Sequence, residues 1–286
     1  RNMKKVVCIV TSTRAEWGLL RPIAEAIRKS KDLKLLLAVT GTHFCYEFGN
    51  TYREILADGF SIDERIDMQL YPVSPASISK TMGLTMIGFS DFFARRKPDL
   101  LLVLGDRYET IAVCLAAINE NIPIAHVHGG EITEGAIDDR IRHAITKLSY
   151  LHFTSCETYR HRVIQMGESP DRVFNCGAPG IDNIRSMCFL DLNELSEELN
   201  INLTDKPYFV VTFHPVTLEN NTAENQMKSL LAALDLFPHT NIIITKSNAD
   251  MGGTEINAII DKYANSRDNA ISVSSLGILR YLSALK

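Results

Sequence analysis

The chain has 286 residues, of which 45% are apolar and 22% charged, with a formal net charge of -4 at pH 7. This length favours two domains, and the lack of a basic excess argues against nucleic acid or an anionic membrane as a partner. Six cysteines without a CxxC pair, and the absence of an apolar stretch of about 20 residues, predict a soluble cytoplasmic protein.

The first third of the chain alternates strand and helix patterns. Residues 4–11 and 33–40 are short apolar runs typical of buried strands, and a helical spacing separates them. Residues 61–67 alternate like a short strand, and residues 74–97 form a long helix that Lys97-Pro98 ends. The loop after the first strand has neither GxGxxG nor GxxxxGK[ST], so it is neither a dinucleotide fingerprint nor a Walker loop.

Both early strands run into polar residues. Ser12 or Thr13 caps the first helix, so Arg14 stands beside backbone amides that favour an anion. The alternative for Arg14 is an exposed arginine of the first helical turn. The second strand runs into Gly41-Thr42-His43, which makes His43 a site candidate. The alternative there is a packed histidine that bonds a carbonyl.

Residues 99–152 contain most of the candidate site residues of the chain. An apolar run, Leu100 to Leu104, and a second one, Ile122 to Ala125, both end in titratable residues. Ligands of parallel sheets bind beyond the carboxyl ends of the strands. We therefore expect the following residues to converge on one site: Asp106, Arg107, His126, His128 and Glu131.

Two kinds of chemistry fit these residues. Asp106 and Arg107 offer a general base and an anion clamp, although a structural ion pair is the alternative. His126 and His128 point to the same side of an extended segment, so with Glu131 or Asp138 they allow a metal site. Acid/base or hydrogen-bonding histidines are the favoured interpretation, because the glycine pair after His128 makes the backbone there flexible.

The rest of the chain continues the alternation. Residues 138–148 form an amphipathic helix that carries Arg142, and a domain boundary follows between about 178 and 200. Further strands are predicted at 150–154, 171–175, 208–213, 241–245 and 270–274, and further helices at 157–166, 226–237, 256–263 and 276–285. Two such domains in tandem suggest a ligand in the cleft between them.

Cationic groups follow strands in both halves of the chain. Arg14, Arg107 and His214 come from three separate strand-end loops, a pattern that predicts a distributed clamp suited to a diphosphate. Asn248 could bond sugar hydroxyls or a base edge, but turn chemistry is the leading interpretation of the segment around it.

Several segments together resemble one family, the hydrolysing UDP-N-acetylglucosamine 2-epimerases of sialic acid biosynthesis. They are TSTRAEWGLLRP, VTGTH, GNTYREI, KPDLLLVLGDRYE, IPIAHVHGGEITEGAIDDRIRHAITKLSYLHFTS, VFNCGAPGIDN, VTFHPVTLE and KSNAD. The resemblance implies a glycosyltransferase-B-like α/β fold with two Rossmann-like domains, residues 1–185 and 186–286. The first domain would carry most catalytic residues, and UDP would lie in the cleft.

The resemblance also implies roles for individual residues. For UDP binding it implies Arg14, Arg107, His214 and Asn248. Asp106 and Asp138 match the catalytic carboxylates, and His128 stands where some relatives, the animal enzymes among them, have a glutamate. Glu131 is close enough to share that task. The matches that line the site are His43, His126 and Arg142. The family continues beyond the equivalent of Lys286, so we expect the second domain to be truncated in this sequence.

The implied reaction converts UDP-N-acetylglucosamine and water to N-acetylmannosamine and UDP through a glycal, with no nicotinamide and no metal. Three alternatives stay open: a UDP-2,4-diacetamido-2,4,6-trideoxy sugar as substrate, a non-hydrolysing epimerase, and an inactive nucleotide-sugar sensor. The apolar helices of the first domain favour a homo-oligomer, either a dimer or a dimer of dimers.

Overall fold

The computed structural model describes residues 4–68, 74–214, 222–247 and 253–286. The chain divides into two compact units, Arg1–Arg185 and Ser186–Lys286. The first unit contains one parallel sheet of seven strands in the order β3-β2-β1-β4-β5-β6-β7. Its strands are β1 (Lys5–Thr11), β2 (Leu33–Thr40), β3 (Glu64–Ile66), β4 (Leu100–Leu104), β5 (Ile124–Val127), β6 (Leu151–Thr154) and β7 (Val173–Asn175).

Helices cover both faces of this sheet, as the continuous apolar runs of its central strands require. The helices before the second unit are α1 (Arg14–Lys29), α2 (Tyr52–Ala57), α3 (Pro75–Arg96), α4 (Tyr108–Asn119), α5 (Asp138–Leu148), α6 (Glu157–Gln165) and α7 (Pro179–Ser186), with short 3-10 turns at Gly41–Phe44, Tyr46–Phe48 and Pro170–Arg172. One core contains the phenylalanines of α3, and the other contains Trp17 and Leu20 of α1.

The strand order places a reversal of direction at the centre of the sheet. From β1 the chain moves outward to β2 and β3, then returns to β4 on the other side of β1. The loops that leave β1 and β4 therefore turn to opposite sides, and in parallel sheets ligands bind beyond the strand ends at such a point. The β2 loop packs closely there: a Cβ on Gly41 would lie 2.6 Å from the Ser12 carbonyl oxygen.

The second unit has a smaller parallel sheet in the order β10-β9-β8. Its elements are α8 (Leu192–Leu199), β8 (Tyr208–Thr212), α9 (Ala223–Leu234), β9 (Asn241–Thr245), α10 (Gly253–Asn265), β10 (Ala270–Val273) and α11 (Gly277–Leu285). The central strand β9 is buried along its whole length. Met227 of α9 and Ile260 of α10 are also fully buried and belong to one of the two cores of this unit.

The predicted α/β class with parallel sheets is confirmed. The structure differs locally from the sequence prediction at several places. The strand predicted at 61–67 extends only over Glu64–Ile66, and helix α7, Pro179–Ser186, lies at the predicted domain boundary, where no helix was predicted. Helix α8 was not predicted; Asp191 begins it by accepting hydrogen bonds from two backbone amides of its first turn. In the part of the chain that the structure describes, no helix is long and apolar enough to span a membrane.

Candidate active site

An ion pair joins the ends of β4 and α5. Asp106, just after β4, accepts a hydrogen bond from Nη2 of Arg142 on α5. The Arg142 side chain is 6% exposed, whereas that of Asp106 is 23% exposed. A buried guanidinium without a partner would be strongly destabilising, so Asp106 compensates its charge. The carboxylate of Asp106 therefore stays partly exposed while its partner is buried.

Arg142 also holds the loop that follows β5. Its Nη1 donates to the Glu131 carbonyl oxygen at 3.0 Å, and its Nη2 donates to Thr133 Oγ1 at 2.9 Å. Asp139 Oδ1 lies 3.4 Å from Nη1 and accepts the Thr133 amide at 3.0 Å. One planar guanidinium thus connects the loop over residues 131–139 to the acid at the end of β4.

A second chain of hydrogen bonds starts at His128. Its Nδ1 lies 2.5 Å from Glu131 Oε1, and Ser155 Oγ donates to the same oxygen at 2.9 Å. Burial raises the pKa of Glu131, but the bonds from His128 and Ser155 and the charge of Arg142 outweigh it and hold the pKa below its ordinary value. The structure therefore brings Asp106, Arg142, Glu131 and His128 into one connected network.

His126 is predicted to line the site, whereas the structure buries it completely. Its ring is 0% exposed. Nε2 donates to the Gly105 carbonyl oxygen at 2.7 Å, and Thr146 Oγ1 lies 3.2 Å from Nδ1. Burial lowers the pKa of His126 to about 3, although the bond to Gly105 opposes the shift. His126 is a neutral residue that positions the turn before Asp106.

The same holds for His43. It is 0% exposed, and its two ring nitrogens lie 3.0 Å from Thr11 Oγ1 and 2.8 Å from Thr51 Oγ1. Burial lowers the pKa of His43 to about 3. The ring therefore links β1 to the start of α2 and stays uncharged, as the packed-histidine alternative expected.

Both ring nitrogens of His126 lie within hydrogen-bonding distance of protein groups. Within residues 4–68, 74–214, 222–247 and 253–286, no group of three or more His, Cys, Asp or Glu side chains is arranged to hold a metal ion.

The loop after β1 is organised by a buried glutamate. Glu16 Oε2 accepts from the Ser12 amide at 2.6 Å, from Ser12 Oγ at 2.9 Å and from the Thr13 amide at 3.1 Å. Burial raises the pKa of Glu16 to about 7, against the hydrogen bonds from Ser12 and the charge of Arg107. Thr13 caps α1, and Arg14 follows as its first residue, half-buried.

Arg107 is fixed by residues of its own turn. Its Nε donates to Glu109 Oε2 at 3.2 Å, and its guanidinium carbon lies 5.1 Å from the centre of the Tyr108 ring. The Glu109 side chain is 1% exposed and that of Arg107 is 15% exposed. A buried carboxylate thus orients a cation at the end of β4.

The other candidates are scattered. Asp138 is the first residue of α5, half-buried, next to Asp139 of the Arg142 network. His214 is exposed just after β8, in the second unit. Asn248 lies outside the described residues.

The sequence interpretation did not single out several residues that hold this site together: Glu16, Glu109, Thr133, Asp139, Thr146 and Ser155. Of these, only Glu16 carried a local signal, because Thr13 followed by a glutamate three residues later is a capping-box pattern. Ser155 follows β6 and meets Glu131 only because β5 and β6 are neighbours in the sheet.

The buried state of His126 predicts a pH effect on stability. In the unfolded chain this histidine binds a proton near pH 6.5, but in the folded chain only near pH 3, so folding loses stability as the pH falls through 6.5. Between pH 7.5 and 5, the free energy of unfolding of the wild type should fall by about 2 kcal/mol more than that of His126→Gln. Gln can still donate to Gly105. Urea unfolding of both proteins at the two pH values measures this difference; equal losses would contradict the buried neutral ring.

The chain was compared with known proteins. Residues 25–286 match the model of a protein family described as UDP-N-acetylglucosamine 2-epimerase. The chain is 42% identical over 284 residues to the GDP/UDP-N,N'-diacetylbacillosamine 2-epimerase (hydrolyzing) of Campylobacter jejuni, covering 99% of this chain and 73% of that protein. It is 43% identical over 251 residues to the polysialic acid biosynthesis protein P7 of Escherichia coli, covering 87% of this chain and 63% of that protein.

A solved structure supports the fold. The UDP-GlcNAc 2-epimerase from Neisseria meningitidis, solved with bound UDP-GlcNAc, superposes with a TM-score of 0.80 at 17% identity. The match covers 98% of this chain and 75% of the other. This match shows the α/β fold of the chain.

Proposed function

The chain belongs to the UDP-N-acetylglucosamine 2-epimerase family, in its hydrolysing branch, and we propose that it converts UDP-N-acetylglucosamine and water to N-acetylmannosamine and UDP. The observation that carries this proposal is the connected network of Asp106, Arg142, Glu131 and His128 at the carboxyl ends of β4 and β5. Side chains of this network that could transfer protons lie beside the turn that bears Arg107, which supports the proposal.

The chemistry explains why such a network is needed. Carbon-2 of a 2-acetamido sugar has no adjacent carbonyl, so its proton is not acidic in the ground state. When the bond from carbon-1 to UDP begins to break, carbon-1 gains oxocarbenium character and the proton on carbon-2 becomes acidic. A carboxylate or imidazole can then remove it, and a glycal forms.

Cations accelerate this step if they stabilise the negative charge that develops on the departing diphosphate. Arg107, held by the buried Glu109, and Arg14, at the start of α1, are the candidates in the first unit. His214 and Asn248 stay predictions from the sequence for the same nucleotide.

Hydration completes the reaction. Water adds at carbon-1 of the glycal, and a proton returns to carbon-2 from the face opposite to the one it left. Inversion therefore requires two different proton-transfer groups. Asp106 and Asp138 are the carboxyl candidates for this reaction, and His128 with Glu131 supplies a third group.

The first experiment supplies UDP-N-acetylglucosamine to the protein in deuterated water and follows both products. We expect UDP and N-acetylmannosamine in equal amounts, with deuterium at carbon-2 of the sugar. Release of UDP-N-acetylmannosamine would indicate a non-hydrolysing epimerase. Absence of deuterium at carbon-2 would exclude the glycal route. Absence of turnover of this and of the second candidate nucleotide sugar described below would favour a nucleotide-sugar sensor.

A second candidate substrate is UDP-2,4-diacetamido-2,4,6-trideoxyglucose. The observation that favours it is the 42% identity, over 99% of this chain, to a relative named for N,N'-diacetylbacillosamine. The two candidates differ only at carbons 4 and 6 of the sugar, away from the proton that is removed. Parallel assays with both nucleotide sugars decide between them, and the larger kcat/KM identifies the substrate.

A further inference from the structure

The backbone at His128 is unusual for a residue with a side chain. His128 has φ of +69°, in the left-handed region that non-glycine residues seldom adopt. Its amide donates to the Phe153 carbonyl oxygen at 3.0 Å, and a Cβ on Gly130 would lie 2.4 Å from the Tyr159 carbonyl oxygen. The chain therefore cannot relax at this turn without breaking contacts with β6 and α6. Such a fixed conformation holds the imidazole in one place.

The hydrogen bonds of His128 define which ring nitrogen carries the proton. Glu131 Oε1 lies 2.5 Å from Nδ1 and also accepts from Ser155 Oγ at 2.9 Å. The pKa of Glu131 is below its ordinary value, so the carboxylate is ionised near neutral pH and can only accept. Nδ1 is then the donor, and the tautomer with its proton on Nδ1 carries the lone pair on Nε2.

Nε2 is the ring nitrogen that accepts no hydrogen bond from the described residues. It is buried and has no hydrogen-bond partner among the described residues, and the whole side chain is 17% exposed. The neighbouring carboxylates are more engaged: Asp106 is paired with Arg142, and Glu131 already accepts two hydrogen bonds. Among the acid/base groups of this network, His128 therefore has the basic atom with the fewest hydrogen-bond partners.

On the basis of the proposed function, we propose that His128 Nε2 accepts the proton from carbon-2, and that Glu131 and Ser155 are positioning residues that hold its tautomer. In this step the carbon-2 hydrogen moves to Nε2 as a proton. The electron pair of that C–H bond becomes the carbon-1 to carbon-2 double bond, and the carbon-1 to oxygen bond breaks as UDP leaves with its electron pair. The imidazolium so formed donates from Nδ1 to the Glu131 carboxylate.

The charged groups around His128 favour formation of the imidazolium. Glu131 supplies the negative partner of the imidazolium. Arg142 from α5 contacts the Glu131 backbone, and Arg162 from α6 donates to the Gly130 carbonyl oxygen. His126 of β5 is held neutral by burial, so it adds no positive charge beside the ring. The carboxylate is therefore the charge closest to His128.

Variants separate the base from the residues that position it. We expect His128→Gln to lower kcat by about 10²- to 10⁴-fold, since a general base is removed. Ser155→Ala should lower kcat several-fold with an unchanged KM, and Ser155→Thr, which keeps the hydroxyl, should restore it. Glu131→Gln should lower kcat by about 10²-fold and move the acidic limb of its pH profile to lower pH, because the imidazolium loses its anionic partner.

A half-reaction tests the assigned step. Supplied with the glycal 2-acetamidoglucal, His128→Gln should still form N-acetylmannosamine at close to the wild-type rate, because hydration uses the other proton-transfer group. The proposal is overturned if this variant keeps wild-type turnover of the nucleotide sugar, if it loses glycal hydration as severely as overall turnover, or if Glu131→Gln leaves the pH profile unmoved.

These outcomes are distinguishable from a failure of the proposed function. Wild-type protein that turns over neither nucleotide sugar would refute the function itself. Wild-type protein that is active, with variants that are unaffected, would refute only the role of His128. Circular dichroism of each variant identifies loss of folding, and the Ser155→Ala and Ser155→Thr pair changes too little volume to unfold the unit.

Discussion

Replacing Asp106 with asparagine is expected to lower kcat by about 10²- to 10⁴-fold while UDP still binds. Asn cannot take up or deliver a proton at neutral pH, but it keeps the size of the side chain and an oxygen that can accept from Arg142. The loss should therefore appear in kcat and not in the dissociation constant of UDP. Steady-state kinetics and calorimetric titration with UDP measure the two quantities separately.

Asp139→Asn is the matched control for this prediction. Asp139 also contacts Arg142, at 3.4 Å, but it lies on α5 and not at the end of β4. If both substitutions lower kcat equally, Asp106 acts only through the Arg142 network. If Asp106→Asn weakens UDP binding and leaves kcat unchanged, Asp106 belongs to the nucleotide clamp and not to proton transfer.

Replacing Arg142 with methionine is expected to reduce both stability and activity. The substitution removes a buried cation and leaves Asp106, Thr133 and the Glu131 carbonyl oxygen without a donor. Breaking a buried ion pair by removing one partner costs about 3–5 kcal/mol. Activity should fall by about 10³-fold or more, because Asp106 and the loop over residues 131–139 lose their common support.

Arg142→Lys tests whether the forked geometry of the guanidinium is needed at this position. Lysine keeps the charge, but its ammonium group cannot make the forked contacts of a guanidinium. We expect most of the stability to return in urea unfolding and most of the activity to stay lost. Equal recovery of both would mean that charge alone matters at this position, and full activity of Arg142→Met would contradict the network.

Much of the first unit was predictable from local pattern. The runs 33–40 and 100–104 match β2 and β4 closely, because strands that are buried on both faces are predominantly apolar. The clustering of candidate site residues at the carboxyl ends of β4 and β5 was also predictable, because ligands of parallel sheets bind at that edge. Shorter elements such as α8 escaped prediction because eight residues give too little periodicity to detect.

The sequence by itself determined which functional groups stand at the strand ends, namely Asp106, Arg107, His128 and Glu131, and it contains the segments that identify the family. The tertiary structure alone decided which groups are paired. His43 and His126 share the strand-end pattern of His128, yet burial and two hydrogen-bond partners keep them neutral. Arg142 meets Asp106 across 36 residues of chain, and Ser155 meets Glu131 across 24. Burial and long-range partners set protonation, and neither is encoded in the residues next to a side chain.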